Sequence, residues 1–113
     1  PARAAHPAPP SLDATACREA SMFIAIAIHH AAPEHTDEFI AFMHQVIEAT
    51  QGAPGLLEFT VCRDPQRGFL AGFSRWEGAA AFRAALPTIR SLAPLRRPEW
   101  SAAPDELITL VEA

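Results

Sequence analysis

Phe23-Ile24-Ala25-Ile26-Ala27-Ile28 carries no polar side chain, and its reading decides the fold. Alternate residues of a strand point to opposite faces, so an all-apolar strand must be covered on both sides. The helices that the rest of the chain supplies can cover only one face of a small antiparallel sheet. In a chain of 113 residues the natural cover for the other face is a second copy, so a homodimer through the open sheet face is expected.

Outward from this strand, His29-His30-Ala31-Ala32-Pro33 is expected to end it. A helix should follow, with Thr36 as N-cap and Asp37 and Glu38 in the first turn, where acids complement the helix dipole. Phe39, Met43, Val46, Ile47 and Thr50 recur at helical spacing as its buried stripe, with Ile40 and Phe42 on the shoulders. Gly52-Ala53-Pro54-Gly55 stops the helix and turns the chain. Leu56 to Cys62 reads as the second strand, with Leu57, Phe59 and Val61 on one face. Arg63-Asp64-Pro65-Gln66-Arg67-Gly68 reads as a hairpin loop. The third strand, Phe69 to Trp76, sets Leu70, Gly72, Ser74 and Trp76 opposite Phe69, Ala71, Phe73 and Arg75. A mid-strand glycine such as Gly72 often marks close approach by something bulky.

The second helix should run from about Ala79 to Leu86, burying Phe82 and Leu86. Pro87, acceptable at a first helical position, should open a separate short piece reaching Leu95. Trp100 to Pro104 reads as a loop and Glu106 to Val111 as the last strand. The order βαββαβ defines an α+β, ferredoxin-like domain: a four-stranded antiparallel sheet with helices on one face.

Composition narrows the function classes. A net charge of −4 argues against nucleic acid, since phosphate binding wants a basic surface. No apolar run approaches the roughly 20 residues that span a bilayer. Lys, Asn and Tyr are absent, and the Ala, Pro and Arg richness reads first as coding bias. Cys17 and Cys62 lack metal or redox spacing, which fits a reduced cytoplasm and no disulfide between them. Residues 1–21 are Pro- and Ala-rich, with a short helix expected at Ser11–Ala20. They are expected to be an extension dispensable for folding of a domain spanning 22–113.

Three stretches together resemble the antibiotic biosynthesis monooxygenase family. They are Ala53-Pro54-Gly55-Leu56-Leu57, then Arg63-Asp64-Pro65 leading into Gly68-Phe69, then Phe73-Ser74-Arg75-Trp76-Glu77-Gly78-Ala79-Ala80-Ala81-Phe82. The resemblance covers about residues 22 to 112. It implies a dimeric α/β barrel, two sheets packed face to face, in agreement with the first strand. It also implies oxidation of a small aromatic or quinone-like substrate without a cofactor, in an apolar cavity between sheet and helices lined by Phe39, Met43, Trp76 and Phe82. An easily oxidised substrate, once deprotonated, can itself give an electron to oxygen, leaving the protein to orient it and stabilise an anion. A non-catalytic binding or sensing domain on the same barrel, or a dimerisation module with a filled cavity, remains the alternative.

The resemblance places Trp76 on the cavity wall, its ring a flat surface for an aromatic ligand; the other reading is a core aromatic anchoring the second helix. Haem-degrading relatives add an Asn and a helix His to that Trp. This chain has no Asn, and Ala85 stands where the His is expected, so haem degradation is not expected. The Tyr and Asn of the polyketide oxygenases are missing too, which leaves His or Arg as base or cation. His44, beside Met43, is the candidate base, with a solvated boundary position as the other reading. Arg75 could hold an anionic substrate or form a rim ion pair. His29 and His30 point to opposite faces if the strand continues, so at most one enters the cavity. With His35 they do not match a metal spacing, and no metal is expected.

Overall fold

The computed structural model describes residues 21–113; the helix expected at Ser11–Ala20, and Cys17, lie outside the described residues. The strands are β1 (Phe23–Ala31), β2 (Leu56–Arg63), β3 (Leu70–Trp76) and β4 (Ser101–Val111). The helices are α1 (Thr36–Ala49) and α2 (Ala79–Ser91). The sheet is antiparallel throughout, in the order β2-β3-β1-β4, and this is the ferredoxin-like α+β fold.

β1 is longer than its composition suggested. His29 and His30 stay in the strand because His29 pairs with Leu70 of β3, and β4, beginning at Ser101, pairs with His30 and Ala31. Trp100 to Pro104 is therefore largely strand, not loop. Pro104 is tolerated because β4 is an edge strand and because it sits where the register slips. From the Ile28–Glu106 pair to the His30–Ala103 pair, β1 advances by two residues and β4 by three. That bulge sets His29 against Pro104 and Asp105.

Thr36 is the first helical residue rather than the cap. A 3₁₀ turn, Pro33–His35, leads into α1, and the Thr36 hydroxyl donates back to the carbonyls of Ala32 and Pro33. Phe42, expected on a shoulder, is a core residue with Phe39, Met43, Val46 and Leu70, whereas Ile47 is only half-buried. In β2, Leu57 is the extra residue of a bulge between Leu56 and Glu58 and turns outward, 45% exposed. Phe59 and Val61 keep the inward face. α2 runs through Pro87 as one helix, with the proline on its exposed side. The lost amide hydrogen removes one ladder bond without ending the helix.

Gly55 governs how α2 meets the sheet. It has φ +83°, and a Cβ there would lie 2.6 Å from the Ala81 Cβ. Only a residue without a side chain lets the start of β2 pass so close to α2.

Both helices cover one sheet face. The other carries Ile24, Ile26, Ile28, Phe73, Ile108 and Leu110, with Ile108 and Leu110 42% and 48% exposed. Polar pairs flank it: an ion pair with Arg75 Nε 3.3 Å from Glu58 Oε1, and a hydrogen bond of 2.7 Å between His30 Nε2 and Glu106 Oε2. No described helix is long and apolar enough to cross a membrane.

Candidate functional site

The helix-facing side of β1 bears Ala25 and Ala27, and the same side of β3 bears Gly72 and Ser74. Four small residues side by side cannot fill the space beneath two helices. A cavity of about 300 Å³ results, walled by Phe42, Met43 and Val46 of α1, Phe59 of β2, and Phe82, Leu86 and Ile89 of α2. A Cβ on Gly72 would only touch Phe59 and Met43, at 3.5 and 3.6 Å. The bulk that a mid-strand glycine forecasts is thus these two side chains.

One end of this apolar space is charged. His29 and Asp105, with Arg96 from the segment after α2, line it there. Arg96 donates to both Asp105 carboxylate oxygens, and to Ser101 Oγ at 2.8 Å. Its guanidinium lies over the Phe39 ring, 4.7 Å from the centroid, so the clamp is held on a fully buried support. His29 Nδ1 is 3.1 Å from Asp105 Oδ1, buried and close to the carboxylate but without an aligned hydrogen bond. The imidazole packs on Phe39 with centroids 4.9 Å apart. Burial lowers the His29 pKa below the ordinary 6.5; the neighbouring Asp105 carboxylate opposes this without overcoming it. For Asp105, burial would raise the pKa, but the Arg96 hydrogen bonds and the adjacent His29 ring together outweigh it and bring it below 3.8.

The residues singled out from sequence are distributed unevenly around this cavity. Met43 and Phe82 line it. Trp76 is fully buried behind it, its ring edge against Phe82 with centroids 5.7 Å apart. The Trp76 Nε1–H donates to Ser74 Oγ at 2.8 Å, and Ser74 donates on to the Ala25 carbonyl at 3.2 Å, so the indole donor is already used. Phe39 is likewise fully buried, supporting His29 and Arg96 from behind. His44 is exposed on α1, away from the cavity. Arg75 lies on the open sheet face with Glu58. Of the adjacent histidines, His29 enters the cavity and His30 faces the other way, toward Glu106.

Sequence reasoning passed over Asp105 and Arg96. The alternation of β1 carried far enough would have put His29 on the Ala25 and Ala27 face. Alternation in β4 puts Asp105 on the cavity side with Leu107, and the Ala27–Leu107 register carries it to His29; the signal was missed because 101–104 read as a loop and the strand was begun only at Glu106.

The fold is a ferredoxin-like α+β domain with an apolar cavity between sheet and helices. A family model, antibiotic biosynthesis monooxygenase, matches residues 22–91, and the chain belongs to that family. Solved structures agree on the fold. A Chloroflexus aurantiacus structure bearing the antibiotic biosynthesis monooxygenase name is 27% identical, with TM-score 0.64, covering 82% of this chain and 94% of that one. A Caulobacter crescentus structure of the same name is 14% identical with TM-score 0.74, covering 86% and 94%. A Mycobacterium tuberculosis protein is 18% identical with TM-score 0.70, covering 82% and 96%. No curated protein matches.

Proposed function

We propose that this chain is a cofactor-independent monooxygenase for a small aromatic or quinone-like substrate, acting as a homodimer. The observation that carries the reading is the apolar cavity of about 300 Å³ between sheet and helices, in a chain of this family. That volume is at the lower end of ligand pockets and suits a small planar molecule. Met43 and Phe82 are the walls against which the ring lies. Trp76 acts from behind by holding Phe82, and Phe39 by supporting the charged end.

An anthrone or hydroquinone ionised there gives an electron to dioxygen. For an anthrone, recombination at the ring carbon forms a hydroperoxide, and loss of water leaves the carbonyl, so one CH₂ and one O₂ become one C=O and one H₂O. The second copy of the chain covers the open sheet face. Each 100 Å² of apolar surface so buried contributes about 2.5 kcal/mol before association costs.

Oxygen uptake with dithranol and a panel of hydroquinones tests this. Saturable uptake above the autoxidation background is expected, reduced when Gly72→Leu fills the cavity. Binding without uptake would leave a ligand-sensing domain instead. Neither binding nor uptake would remove the reading altogether.

A further inference from the structure

We propose that His29 is the proton acceptor of the cavity and that Asp105 and Arg96 position it, so the ligand is a weak acid: a planar apolar body bearing a phenolic or enolic hydroxyl. The inference rests on reading the cavity as a ligand site, and deepens it by naming the base and the group it deprotonates.

Geometry supports each part. His29 brings a polar side chain into a cavity otherwise floored by Ala25, Ala27, Gly72 and Ser74, and its side chain is only 13% exposed. Asp105 lies beside Nδ1, which favours the tautomer with the proton there and leaves the Nε2 lone pair as acceptor. Burial keeps the imidazole neutral at neutral pH, the state a base requires. Asp105 itself cannot swing away, because the Arg96 fork holds both of its oxygens and Arg96 is fixed by Ser101 and Phe39.

The charged groups around His29 are Asp105 on β4, Arg96 after α2, Arg90 on the α2 wall of the cavity, and His30 next in β1, facing away. In the step, the ligand O–H bond breaks, its proton bonds to Nε2, and the electron pair stays on oxygen. The imidazolium is then stabilised by Asp105, and the new anion lies in the field of Arg90 and Arg96. No redox partner is needed for this step.

The probe is para-nitrophenol, a single-ring phenol whose colour reports its ionisation and whose readout does not depend on turnover. Titrated with the full chain in excess, the bound dye is expected to ionise about tenfold more readily than the free dye, roughly one pH unit lower. His29→Gln should still bind it but abolish the shift. Asp105→Asn should shrink the shift and move the His29 titration, followed by NMR of the imidazole nitrogens, while Asp105→Glu should restore both. If the His29→Gln protein does not fold, the same NMR on the unmodified chain decides: His29 must gain a proton when the dye binds. Bound dye ionising alike in unmodified and His29→Gln protein, or His29 remaining neutral with dye bound, would overturn the inference. Either result leaves oxygen uptake as a separate test of the monooxygenase reading. A dye that does not bind at all overturns the phenol assignment even if oxygen uptake is seen.

Discussion

Replacing Ser74 with Ala tests whether Trp76 is a buried pillar rather than a ligand-facing donor. Trp76 has no exposed surface, and its only hydrogen-bond donor on the side chain is spent on Ser74 Oγ at 2.8 Å. Ser74→Ala leaves that N–H in an apolar interior, at a cost of about 1–3 kcal/mol. For a domain of this size each kcal/mol lowers Tm by roughly 4–8 °C. Trp76→Phe removes the donor along with part of the ring and should cost up to about 3 kcal/mol through the space it vacates. In that background no donor remains to be orphaned, so Ser74→Ala should cost at least about 1 kcal/mol less than it does alone. Urea unfolding of the four proteins gives the coupling directly, provided all are measured at one protein concentration, since association adds to apparent stability. If Ser74→Ala costs the same with Trp76 or Phe at the second position, the indole bond contributes nothing, and the placement of Trp76 as a satisfied core residue fails.

Three further outcomes are expected. Gly55→Ala should destabilise by about 2–5 kcal/mol, the sum of left-handed strain and overpacking against Ala81, whereas Gly52→Ala, with φ +80° but open space around it, should cost only about 1–2 kcal/mol; chemical unfolding of the pair separates the two effects. Because the His29 pKa is lowered from 6.5 on folding, protonation favours the unfolded chain. Stability should therefore fall as pH drops below 6.5 through the folded-state value, and fall again below 3.8 as Asp105 titrates; thermal melts of His29→Gln should lack the first descent. Ile26→Asp, placing a charge in the middle of the open sheet face, should convert a dimer to a monomer in sedimentation equilibrium. Unmodified protein that already sediments as a stable monomer at micromolar concentration would sink the dimer.

Much of the fold was legible because strand and helix periods write themselves into side-chain order. The alternation in β3, with Leu70, Gly72, Ser74 and Trp76 on one face, is found as read. So is the helix bearing Phe39, Met43 and Val46. Errors fell where pairing with a distant strand overrode local preference. His29 and His30 looked like the end of a strand, and Pro104 like a loop, because each is a poor strand residue alone. Pairing with each other's strands keeps both in the sheet. Pro87 misled for the opposite reason: an exposed proline can be carried inside a helix whose other face is packed.

The site was less legible than the fold. Met43 and Phe82 could be placed because their helices carry an apolar stripe, and the cavity they line exists because β1 and β3 present Ala and Gly beneath them. Phe39 and Trp76 belong to the same apolar layer but are fully buried behind the cavity wall, a distinction that periodicity does not encode.

What the sequence by itself determined is the βαββαβ order, the antiparallel sheet and the apolar character of both its faces, all consequences of short-range periodicity. Only the tertiary structure decided that His29, Asp105 and Arg96 meet. His29 lies near the start of the chain and the other two near its end, and the β1–β4 register that pairs Ala27 with Leu107 sets Asp105 beside His29. Register between distant strands is a property of the packed sheet, not of either strand alone.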